Sequence, residues 1–189
     1  MRRSRMLAAV GSIAVASMSL VTAASAQPIR EEGVFEESET IEDFCDVPGL
    51  TVQIDSTIDA RFMIIPHGPD GLWHGLEHEK VSRVYTNLAN GNFVTEDVTV
   101  VFKDLRVTDN GDGTLTILVL GTGNAVTYGP DGKALARDPG QIRFEVLVDD
   151  AGTPGDPTDN EFLEFLGVVK ESTGRSDDFC AAIPPVLLG

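Results

Sequence analysis

Positive charge is scarce in this chain. Its 189 residues carry 14 Lys and Arg against 30 Asp and Glu, a formal net charge of −16. A surface of that sign repels nucleic-acid phosphates and anionic bilayers, so nucleic-acid partners are set aside. Beyond residue 26 there is no apolar run of the roughly 20 residues that a membrane-spanning helix needs, and no membrane anchor is expected once the N-terminal segment is removed. No capped segment of helical period reaches ordinary helix length, which argues against a helical or α/β domain. The signatures of common chemistries are missing too: no G-x-S-x-G elbow, H-E-x-x-H pair, phosphate loop or dinucleotide fingerprint occurs, and no cofactor is expected. The few serines after residue 26 stand in no recognisable nucleophile setting.

Cysteine is nearly absent, and its two occurrences are informative by position. Arg2, Arg3 and Arg5 precede a small-residue and apolar stretch from Leu7 to Val21, and Ala24-Ser25-Ala26 supplies an A-x-A cleavage site. Residues 1–26 therefore read as a signal peptide, with the mature chain starting at Gln27 and secreted to the extracellular side. Removing them takes away arginines and no acid, so the remainder is more acidic still. Two cysteines in an exported chain point to one disulfide, Cys45–Cys180, which brackets nearly all the strand-patterned sequence.

Four segments follow from composition. After the signal, residues 27–43 are dense in acid (Glu31, Glu32, Glu36, Glu37, Glu39, Glu42, Asp43) and read as a flexible arm, because like charges resist compaction. Residues 44–180 form a single β domain. Residues 181–189, with Pro184-Pro185, read as a short extended tail.

Within the domain, apolar residues alternate. Val52, Ile54 and Ile58 form one such series, and Leu115, Ile117 and Val119 another; Ile142, Phe144, Val146 and Val148 make the cleanest half-buried strand. Val98, Val100 and Phe102 alternate as well, but Leu105 and Val107 resume with opposite parity, as a β-bulge near Lys103-Asp104 would produce. Phe162 to Lys170 reads as a closing strand or a short helix. Asn90-Gly91, Asn110-Gly111, Asp112-Gly113 and Asp131-Gly132 are dipeptides that accept positive φ and suit tight hairpins. The pattern predicts an all-β fold, an antiparallel up-and-down meander of about seven to ten strands closing into a barrel, with a β-sandwich as the alternative.

Candidate chemistry is thin. His67, His74 and His78 are the only histidines, with Glu77 and Glu79 beside them, and imidazole and carboxylate suit zinc or copper. On a strand, however, His74 and His78 would stand about 13 Å apart, too far for one ion. Thr108 to Gly113 has some of the spacing of a calcium loop but lacks carboxylates at its first and last ligand positions, and a hairpin accounts for every residue in it. Arg83, Tyr85 and Asn87 share one face of residues 81–88; the opposite face, with Val84 and Leu88, is the more apolar, so the trio is expected to meet water. Turned inward, it would line a polar pocket.

The stretch from Phe62 to Cys180 resembles a group of small exported bacterial proteins of no assigned activity, on His67-Gly68-Pro69-Asp70-Gly71, Thr86-Asn87, Asp109-Asn110-Gly111-Asp112-Gly113-Thr114 and Asp177-Asp178-Phe179-Cys180. A more distant likeness, resting on meander and length, is to allene oxide cyclase-like and dirigent-like barrels, and it carries no site residues. The expected function is binding of a small molecule or a protein partner. The alternatives are a metal-free barrel enzyme of cyclase or isomerase type and an extracellular interaction or inhibitory protein.

Overall fold

Strands of unusual length make up most of the computed structural model, which describes residues 27–67 and 71–189. They are β1 (Ile29–Ile41), β2 (Val52–His67), β3 (Leu72–Asn87), β4 (Phe93–Asp109), β5 (Thr114–Tyr128), β6 (Ala134–Asp149) and β7 (Glu161–Lys170). Each pairs antiparallel with the next, giving one seven-stranded sheet in the order β1 to β7. The hairpins fall where the Gly dipeptides lie, and Gly91, Gly111, Gly113 and Gly132 all take positive φ. The register of β4 against β5 shifts between Asp104 and Arg106, leaving Leu105 as the inserted residue. This is the parity flip visible in the sequence.

The sheet does not close into a barrel, and being a single sheet it is not a sandwich either. Its two edges explain why. β1 presents Glu31, Glu32, Glu36, Glu37 and Glu39, and β7 is interrupted by three register shifts against β6. Charge and bulges are the devices that keep edge strands from pairing. The sheet is tightly curved nonetheless. On β5 a Cβ at Gly123 would lie 2.7 Å from the Thr99 carbonyl oxygen, so only glycine permits that curvature. Across it, Phe102 of β4 and Phe144 of β6 meet with ring centroids 6.3 Å apart. Trp73 at the start of β3 donates its indole N–H to the Gly155 carbonyl at 2.6 Å, tying the β6–β7 loop across the inner side.

Two further expectations are corrected. The acidic arm is a strand: β1 pairs with β2 over thirteen residues, Ile29↔Ile64 through Ile41↔Val52. Like charges at water-exposed positions repel weakly in so high a dielectric, and a continuous ladder outweighs them. Ser38 adds a 2.7 Å bond to Asp55. The tail is helical, as α1 (Phe179–Ala182) and α2 (Pro184–Leu188). Pro184 and Pro185 start α2, where a missing N–H costs nothing.

The tightest packing is at this end of the sheet. Phe44, Leu50, Val52, Ile54, Tyr85, Val94, Ile183 and Leu187 form one buried cluster beneath α1 and α2. Asn87 and Asn90 donate to the Leu187 carbonyl at 3.0 and 2.9 Å and hold the C-terminus down. Cys45, in a 3-10 turn at Phe44–Asp46, is bonded to Cys180 in α1, 135 residues away. The disulfide expected from the sequence is present. No helix among the described residues is long and apolar enough to cross a membrane. The proposed signal segment lies outside the described residues.

Candidate functional site

Beyond the buried cluster the inner face is a trough. Ladder pairing places Ala60, Phe62 and Ile64 of β2, Val98, Val100 and Phe102 of β4, and Ile142 and Phe144 of β6 on the same side as the buried cluster, yet each of these is only half-buried. β3 runs through this apolar surface and turns Glu77, Glu79, Arg83, Tyr85 and Asn87 inward.

Tyr85 and Asn87 are 7 % and 3 % exposed, whereas Val84 and Leu88 on the other face are 38 % and 53 % exposed. The expectation that Arg83, Tyr85 and Asn87 meet water is therefore reversed. The reason is a partner on β4. Glu96 Oε2 accepts from Arg83 Nη1 at 2.9 Å and from Tyr85 Oη at 2.8 Å, and its Oε1 accepts from Thr127 Oγ1 at 3.4 Å. A buried polar group tolerates burial when its bonds are made. Burial first, and then the Glu96 charge, push the Tyr85 hydroxyl well above its ordinary pKa. Glu96 did not emerge as a candidate from the sequence. Its signal is its parity with Val98, Val100 and Phe102, which puts an ionisable group on the apolar side of β4.

Further along β3, Glu77 pairs across from Phe62 and Phe102, and Glu79 from Ala60 and Val100. The two carboxyls lie on the same face of β3, and each shifts the other's titration. Burial, then the charges of Glu79 and Asp104, push Glu77 up to about 7. Asp104, at the bulge, is also raised by burial, against a 2.6 Å bond from the Gly75 N–H that favours its ionised form. A carboxyl that titrates near neutrality can give or take a proton at physiological pH, and its ionised form can hold a cation.

This has a consequence for stability. Between the ordinary value of 4.5 and about 7, folded Glu77 keeps a proton that the unfolded chain has released. Its contribution is full below 4.5 and is lost as pH rises through about 7. Melting temperatures measured across that window should fall more for the wild type than for Glu77→Gln. Parallel curves would refute the assignment.

The histidines divide. His67 and His74 lie at the far end of the β2–β3 hairpin with ring centroids 5.1 Å apart. His78 lies on the same outer face four residues further along β3, in an open depression of about 260 Å³ with Asp59, Arg61, Lys80 and Thr99. Among the described residues no group of three or more His, Cys, Asp or Glu is arranged to hold a metal ion. The Asp109–Thr114 turn uses its carboxylates internally: Asp109 accepts from the Gly111 N–H at 2.7 Å and Asp112 from the Thr114 hydroxyl at 2.6 Å.

No family model, no curated protein and no solved structure matches the chain. The trough thus has to be read from its own chemistry. It offers apolar walls, a carboxyl pair on one strand, and an Arg–Glu–Tyr cluster between that pair and the buried end.

Proposed function

We infer that this is a secreted binding domain whose trough holds a small, mostly apolar molecule carrying a basic nitrogen. The observation that supports this reading is the Glu77–Glu79 pair, turned inward among half-buried apolar side chains. A carboxyl lifted to about 7 by burial gains when a cation arrives beside it, because the ionised form is then stabilised. The apolar walls supply most of the contact area, as in most small-molecule sites, and the few polar groups fix orientation. The disulfide fits an oxidising compartment, in keeping with export.

Two probes with one ring system and opposite charge test the reading by calorimetry. 1-Naphthylmethylamine should bind saturably and 1-naphthoate should not. Glu77→Gln should weaken the amine about tenfold, the loss of about 1.4 kcal/mol of charge pairing. Equal binding of the two probes, or an amine affinity indifferent to Glu77→Gln, would sink it.

The same Glu77 supports a second reading, a metal-free enzyme of cyclase or isomerase type in which this carboxyl moves a proton. Turnover of a bound amine rather than simple retention would favour it.

A further inference from the structure

The last strand of the sheet carries apolar residues that its pairing with β6 leaves over. β7 shifts register against β6 between Arg143 and Phe144, between Glu145 and Val146, and between Leu147 and Val148. It therefore advances three residues for every two of its neighbour. Phe162, Phe165 and Val168 pair with Val148, Val146 and Phe144 and continue the inner face; Glu161, Glu164, Gly167 and Lys170 continue the outer one. The inserted residues Leu163, Leu166 and Val169 have no partner on β6 and are exposed by 46, 45 and 57 %. Bulges of this kind spoil a strand as a backbone template. Whatever docks here must be held by side chains.

The chemistry of the edge selects its occupant. The other edge, β1, offers Glu31, Glu32, Glu36, Glu37 and Glu39, which would face Glu161 and Glu164 of β7. β7 laid antiparallel on a second β7 is complementary instead. Glu161 meets Lys170, Phe162 meets Val169, Leu163 meets Val168 and Phe165 meets Leu166. We propose that two copies of this chain associate through β7 about a two-fold axis between Phe165 and Leu166. Leu163, Leu166 and Val169 of the two copies pack together, and Glu161 of each copy sits beside Lys170 of the other. The same patch serves both copies, as closed two-fold symmetry requires.

Sedimentation equilibrium of the oxidised protein over a wide concentration range tests the pairing. The weight-average mass should rise from monomer to dimer. Leu166→Glu, at an exposed position, should raise the dissociation constant at least about tenfold, as loss of a central apolar contact does. Glu161→Lys should weaken the dimer, and adding Lys170→Glu should restore it. A monomer at every concentration would overturn the proposal. So would a dimer that neither Leu166→Glu nor Glu161→Lys disturbs. If Leu166→Glu fails to fold, the charge exchange at the two exposed ends of the strand decides the matter alone.

Discussion

Replacing both cysteines by serine is expected to cost about 5 kcal/mol of unfolding free energy. The bond joins residues 135 apart, and closing a loop of that length removes a large amount of freedom from the unfolded chain, about 5 kcal/mol in the chain-entropy treatment. Domains of this size have roughly 5–15 kcal/mol in total, so the variant should sit close to its threshold at body temperature. The folded state keeps much of what it has at that end. Phe44 still packs on Tyr85 and Phe179, with ring centroids 5.9 and 6.2 Å apart, and the asparagine bonds to the Leu187 carbonyl remain. The loss should therefore appear mainly as an earlier urea midpoint, with strand content unchanged at low denaturant. A more expanded unfolded state should also steepen the denaturant dependence. An unfolding free energy within about 1 kcal/mol of wild type would show that the clasp constrains little. Alkylation of the urea-unfolded protein without reductant should label neither cysteine.

The parts of this fold that depend on neighbours in sequence were legible, and those that depend on neighbours across space were not. Alternation marks strands such as Ile142–Val148 because one face of a sheet is buried and side chains have period two. Gly91 and Gly132 mark turns because only a positive φ closes those hairpins. The Leu105 bulge was legible as a change of parity. Closure was not, because it depends on whether β1 and β7 can meet, and that is decided by acids on one and inserted residues on the other. The charge density of residues 27–43 points to an arm, and the ladder that β2 supplies makes most of it a strand. The inward turn of Arg83 and Tyr85 has a related reason. The face of β3 looks polar on its own, and becomes an interior face only when Glu96 of β4 stands opposite Arg83. Glu77 and Glu79 were visible only as neighbours of the histidines. Their pairing inside the trough follows from the parity of β3 once its inner face is known.

Arg83→Met is expected to destabilise the protein by about 3 kcal/mol, toward the lower end of the cost of breaking a buried ion pair because the Arg83 side chain is still partly exposed. The variant strands Glu96, which is 7 % exposed, with two hydroxyl donors and no cation. Much of that cost belongs to the orphaned carboxylate rather than to the pair, so Arg83→Met combined with Glu96→Leu should be less destabilised than the sum of the two single variants, a non-additivity that a double-mutant cycle reads directly. The double variant should still fall short of wild type, because the buried Tyr85 and Thr127 hydroxyls lose their Glu96 acceptor. Tyr85→Phe removes one hydrogen bond to a charged acceptor and should cost about 1.5–3 kcal/mol on its own. If Arg83→Met instead costs less than about 1 kcal/mol, Tyr85 and Thr127 alone carry the Glu96 charge. Arg83 is then a side chain that the fold does not need, and its place on the inner face beside the trough would make it a contact for whatever binds there.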